Sequence, residues 1–249
     1  RRGSFILIPE SLDFAAYKLL LSKGSIIYNA YGVTLLRVVI GTTLNLFFTA
    51  TMAYALSKRS MPYRNVFVLL VLVTMLVEGG LVPSYLLMKG LNLLNTFWSL
   101  VLPGLVSAWY MLIMRHFFME FPAELEESAT IDGSSPWQTL WKIILPLSMP
   151  MLVTIGLFYA VGHWNAWFDA TIFIDDIKKM PVQVILRRII LSMSSEDVNA
   201  NMFALMRERP TAATMKAAAI IITTVPILCV YPFLQKHFVK GVMIGSIKG

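Results

Sequence analysis

Five stretches of the chain, at about 31–56, 65–88, 96–114, 147–168 and 213–234, are each long and apolar enough to cross a bilayer as a helix. A hydrocarbon core about 30 Å thick takes about 20 residues of helix at 1.5 Å rise each. The spans therefore predict an all-α, polytopic membrane bundle forming a single domain over 1–249. Composition agrees: 57% of the residues are hydrophobic and 14% are charged, against roughly 25% charged in a soluble domain. A water-soluble globule is excluded on that ground. The net charge of +7 accompanies a mean hydropathy of +0.69, so it orients a membrane chain rather than marking a nucleic-acid surface. Cys229 is the single cysteine, which rules out an intrachain disulfide or a cysteine metal cluster.

Lys58, Arg59 and Arg64 make the connection between spans one and two basic, with no acid, and the positive-inside rule places it in the cytoplasm. The loops then alternate. Residues 89–95 lie outside, 115–146 inside and 169–212 outside, which leaves the basic tail with Lys236, His237, Lys240 and Lys248 inside. Residues 1–30 fall outside, so a cytoplasmic N-terminus requires a further span ahead of Arg1, about six in all.

The inner loop carries acids where the rule favours bases, and its backbone chemistry gives them a place. Over 121–146 the pattern is helix, tight turn, helix. Pro122 suits a first helical position, and Glu124, Glu126 and Glu127 complement the positive end of the helix dipole. Asp132 and Gly133 stop the helix, glycine supplying the left-handed conformation at low cost. Ser135, Pro136 and Gln138 form a capping-box pattern for the next helix, and Pro146 ends or kinks it. Ser128 and Ala129 give the first helix a face without bulky side chains. From helix rules alone this is equally an amphipathic pair lying on the membrane surface.

The run Glu127-Ser128-Ala129 with Gly133 six residues after the glutamate, followed by Ile144-Leu145-Pro146-Leu147, resembles the EAA loop of permease subunits of bacterial binding-protein-dependent ABC importers. Serine stands where that family usually has its first alanine. Met52-Ala53-Tyr54-Ala55-Leu56-Ser57, Gly79-Gly80-Leu81-Val82-Pro83, Trp164-Asn165 and the stretch from Tyr231 through Ser246 are similar to the maltose-type carbohydrate importers, and most to the oligosaccharide subgroup holding the alginate and rhamnogalacturonan importers. The resemblance implies that Glu127, Ser128, Ala129, Asp132, Gly133 and Pro146 belong to coupling helices that dock on a partner ATPase. It also implies a heterodimer with a homologous second permease, two cytoplasmic ATPases holding ATP and Mg, an external or periplasmic solute-binding protein, and a place in the bacterial cytoplasmic (inner) membrane. This chain is then no enzyme and holds no cofactor.

That expectation fits what the chain lacks. No glycine-rich loop ends in Gly-Lys-Ser/Thr, so ATP hydrolysis is assigned to partners. The histidines form no zinc signature, and no Gly-x-Ser-x-Gly elbow occurs.

Ionisable groups within spans face the protein interior or a cavity, so Arg37 and Glu78 stand out. They are read either as an ion pair between neighbouring helices or as part of the translocation path. Trp164 and Asn165, beside His163 and Trp167, are read either as interface anchors or as a sugar contact on the path. The outer loop, 169–212, is long for an idle connection. Its polar stretch is a solvated loop or, following the maltose-type relatives, a contact with the binding protein through Glu196, Asp197, Arg207 and Arg209. Three functions compete: an ABC importer permease, for an oligosaccharide or another solute; an ion-coupled secondary transporter; and a membrane scaffold. The coupling-loop pattern is needed only by the first.

Overall fold

The computed structural model describes residues 14–22, 25–196, 214, 216–226 and 228, and among them it contains helices and turns without a strand. A short α1 (Ala15–Leu20) precedes α2 (Ile26–Ser57), whose 32 residues make it the backbone of the molecule. At 1.5 Å per residue α2 is about 48 Å long, enough to cross a bilayer with turns to spare. Ser25 opens it, its hydroxyl accepting from the Ile27 N–H at 3.3 Å, and Lys58 closes it.

The other expected spans are broken. The second is α3 (Arg64–Leu76) followed by α4 (Leu81–Gly90) at 115°, not one straight helix over 65–88. Val77 turns extended and Gly80 takes φ +82°, a left-handed conformation that glycine alone adopts freely, so the chain reverses there. The third passes through the turns Phe97–Leu100 and Leu102–Gly104 before α5 (Ala108–Met119), with a 52° bend at the break over 105–107. The fourth begins at Met149 and ends at Asn165 as α9, while the segment Pro136–Leu147 before it meets α9 at 85°. By length and composition α2 alone among the described residues is fit to cross as one helix, and up to four spans exist if each bent pair counts as one. Of the fifth stretch, Lys216–Pro226 is a short apolar helix, and residues 227 and 229–234 lie outside the described residues.

The 169–212 region is not a plain loop in its first half. It folds into α10 (Phe168–Phe173) and α11 (Val182–Glu196). The Thr34 hydroxyl of α2 accepts from the Val182 N–H at 2.9 Å, fixing the start of α11 to the long helix.

α2 packs chiefly against α9 and α5. Its inward face runs Ala30, Thr34, Arg37, Gly41, Asn45, Thr49, Ala53, Leu56, steps of three and four that keep one side of the helix turned to its neighbours. Leu35, Leu36, Val39, Phe47 and Phe48 point the other way and are exposed. One apolar cluster gathers around Ile27, Ala30, Ala170, Ile174, Val182 and Val184, a second around Ala53, Leu56, Met111, Met114, Leu140 and Ile144. Along α2 the polar residues fall between them. Lipid tails are as apolar as leucine, so close packing and interhelical hydrogen bonds must hold such helices together, and this middle zone supplies the latter.

Candidate functional site

Two regions carry the polar chemistry: the inner turn after α5, and the ladder between α2 and α9.

The inner turn is α6 (Ala123–Ile131) followed by α7 (Pro136–Thr139). Pro122 is the residue before the helix, with ψ 136°, rather than its first helical position, and Glu124 and Glu126 lie in the first turn. The far end closes through two backbone bonds: Gly133 N–H to the Thr130 carbonyl at 3.0 Å and Ser134 N–H to the Ala129 carbonyl at 2.8 Å. This is the Schellman arrangement, and it needs the left-handed φ of +79° found at Gly133. Ser135 then accepts from Gln138 N–H at 3.3 Å while its own N–H donates to Gln138 Oε1 at 2.9 Å, completing the capping box with Pro136 at the helix start. After Thr139 the chain widens into a π turn, Leu140–Ile144, and then α8 (Leu145–Leu147), which holds Pro146. Ser148 N–H and hydroxyl both donate to the Ile144 carbonyl, at 2.9 and 2.6 Å, where the chain bends into α9.

Glu127, Ser128, Asp132 and Gly133 are exposed on this turn, as is Ile131 at 85%. Ala129 differs from expectation. It is 4% exposed and turned into the chain, so Ser128 and Ala129 do not share an open face. One helical step of 100° separates them, which is enough to put one outside and the other in. Ile131 was missed by the sequence reading, although an isoleucine beside Asp132 and Gly133 is an apolar side chain where a solvated helix end should be polar.

In the membrane zone Arg37 does not pair with Glu78. Its guanidinium forms an ion pair with Asp169 in the first turn of α10, and Nη1 donates to Asp169 Oδ1 at 3.3 Å. Asp169 Oδ1 also accepts from the Ala170 N–H at 2.8 Å. Glu78 sits exposed in the break between α3 and α4. Arg37 is on the face of α2 turned toward α9, where α10 begins, so Asp169 lies within its reach and Glu78 does not.

Eight residues further along α2, Asn45 donates through Nδ2 to the carbonyls of Gly104 and Leu105, at 2.7 and 2.8 Å. Its Oδ1 is then left facing His163 Nε2 at 2.6 Å, so that nitrogen carries the proton. One turn on, Thr49 Oγ1 lies 2.8 Å from the Tyr159 hydroxyl, which accepts from the Ser107 N–H at 3.0 Å. Asn45 and Tyr159 thereby satisfy the backbone of the break ahead of α5, the condition on which a membrane tolerates irregular chain. The signal was present in the first span as polar or small residues at 34, 37, 41, 45 and 49.

Trp164 and Asn165 do not form one patch. Trp164 is buried beside the Tyr31 ring, centroids 6.3 Å apart, while Asn165 is exposed at the end of α9. Glu196 is the last residue of α11; Asp197, Arg207 and Arg209 lie outside the described residues. Among the described residues no group of three His, Cys, Asp or Glu side chains is placed to hold a metal.

A bundle of broken apolar helices, a polar seam between α2 and α9 and an acid-led helical turn at one end fit a membrane transport component. The chain belongs to the family described as the binding-protein-dependent transport system inner membrane component, whose model matches residues 19–244. It is a permease subunit of an ABC importer. Protein LplC of Bacillus subtilis is 44% identical over 99% of this chain and 82% of its own length. The polygalacturonan/rhamnogalacturonan transport system permease protein YtcP of the same organism is 42% identical over 98% of this chain and 85% of its own. A chain of the crystal structure of a bacterial ABC transporter involved in the import of the acidic polysaccharide alginate superposes with TM-score 0.87 and 32% identity, covering 95% of this chain and 84% of that one.

Proposed function

We propose that this permease forms half of a path for an oligosaccharide across the bacterial inner membrane, opened and closed by two partner ATPases that engage the α6 turn. The observation that carries the reading is the form of that turn. A short helix closed at Gly133 presents Glu127, Ser128 and Ile131 outward, with an apolar anchor set among polar groups, as a docking surface requires. A homologous second permease completes the path, and an external binding protein delivers the solute. ATP and Mg belong to the ATPases, so this chain takes no cofactor of its own. Oligosaccharide is favoured as cargo because the relatives named above include a transporter for polygalacturonan or rhamnogalacturonan and one for alginate.

The test is reconstitution with the sister permease, the ATPases and the binding protein. ATP hydrolysis rises when binding protein loaded with oligosaccharide is added, because such coupling requires two global states that the partners favour differently. Uptake of the sugar by this chain alone, driven by an ion gradient and without ATP, refutes the reading.

A further inference from the structure

α6 packs chiefly against α7, so something else must relate it to the membrane-crossing part of the chain. At the inner end of α2 a polar joint does this. Lys58, the residue that caps α2, lies with its Nζ 3.8 Å above the Tyr54 ring and forms an ion pair with Glu126 in the first turn of α6. Both partners stand where the helix dipoles favour them, the cation at a C-terminus and the carboxylate at an N-terminus. The Arg115 Nε–H, near the end of α5, donates to the Leu56 carbonyl at 2.8 Å and fixes the same end of α2 from the other side. A cleft of about 910 Å³ lined by Lys58, Arg59, Phe118, Glu126 and Thr130 lies between the three segments, leaving few other contacts to keep α6 in place.

We propose that Lys58 is a positioning residue, gripped between the Tyr54 ring and the Glu126 carboxylate, that makes α6 and the inner end of α2 move as one body. The inference rests on α6 being the surface the ATPases engage. A push on α6 then reaches α2 without lost motion, and α2 carries it outward as one unbroken helix to the Arg37 and Asp169 pair and to the Thr34 contact with α11. A loose joint lets α6 follow the ATPase while the spans stay behind, so ATP is spent and solute is not moved.

The experiment compares Lys58→Ala, Glu126→Ala and the charge swap Lys58→Glu with Glu126→Lys in the full reconstituted importer. The readouts are co-purification of the ATPases and ATP hydrolysed per solute imported. The ATPases co-purify with every variant, each single change raises ATP per solute about two- to fivefold, the range set by one partly exposed ion pair, and the swap recovers at least half of that loss. In a Cys229→Ser background, cysteines at 58 and 126 joined by a short bis-maleimide linker, which adds one thiol to each ring, preserve coupled transport, because the joint is meant to stay closed. Unchanged coupling in the single variants, a swap no better than either of them, or transport abolished by the linker overturns the proposal. Failure of the ATPases to co-purify with the unaltered chain sinks the docking surface itself, a result distinct from those three.

Discussion

Gly41 offers the sharpest test of the helix packing. A Cβ placed on it lies 2.5 Å from His163 Nε2 and 2.8 Å from the two neighbouring ring carbons, too close for atoms that are not bonded. The imidazole has nowhere to withdraw without cost, since the same nitrogen holds Asn45 at 2.6 Å and Asn45 in turn holds the carbonyls at 104 and 105. Gly41→Ala therefore either drives α2 and α9 apart or breaks the seam. Overpacking of this kind costs about 1–3 kcal/mol, and an interhelical hydrogen bond in a membrane is worth about 0.6 on average, for a total of about 2–4 kcal/mol. With roughly 2–4 °C per kcal/mol for a chain of this size, the melting midpoint of the detergent-solubilised importer drops roughly 4–16 °C by thermal fluorimetry. Gly32, in the same helix with no atom within 4 Å of its added Cβ, is the internal control, and Gly32→Ala is neutral or slightly stabilising. In a His163→Ala background the Gly41→Ala penalty shrinks, because the clashing ring is gone. Equal midpoints for Gly41→Ala and Gly32→Ala would refute the reasoning.

The ion pair makes its own prediction: Arg37→Ala and Asp169→Ala each lower the melting midpoint, the double change costs less than their sum in a double-mutant cycle, and Glu78→Gln leaves the midpoint within error. Gly133→Val forces a β-branched residue to φ +79° at a cost of about 1–2 kcal/mol, so uptake in vesicles falls while the protein still inserts, as immunoblotting of the membrane fraction reports. Ser135→Ala removes one side of the capping box and costs about 1 kcal/mol, read as faster hydrogen exchange over α7 with exchange over α2 unchanged.

How far the sequence reached depended on whether a feature is local. The closure at Gly133 and the Ser135 and Gln138 box follow from backbone rules acting over a few residues, so both were legible. The apolar runs located the spans, but hydropathy is blind to direction, and the breaks at Gly80, at 105–107 and at Ser148 turn three runs into bent pairs. Pairing Arg37 with Glu78 followed from their being the conspicuous charges inside the spans, yet the true partner, Asp169, stands just beyond the end of α9, where counting assigned it to a loop. Asn45 and His163 are polar without charge, and their value appears only when α2 and α9 are side by side. Ser128 and Ala129 are adjacent in sequence, and the 100° step between them puts one outside and the other in.

The π turn at Leu140–Ile144 frees the angle of the chain from its length. Each of its rings closes over one residue more than an α-helical ring does, and Leu145 N–H reaches back five residues to the Leu140 carbonyl. Deleting one residue there lets the segment tighten into ordinary helix, and because the wide ring already absorbs that residue, the segments on either side keep nearly the same angle to each other. Such a deletion therefore leaves Glu127 and Ile131 close to their present bearing relative to α9, whereas the same loss inside α9 turns what lies beyond it by about 100°. Homologous chains can differ by one residue at this point without a second change, so an alignment of them will show isolated single-residue gaps at the turn rather than paired ones.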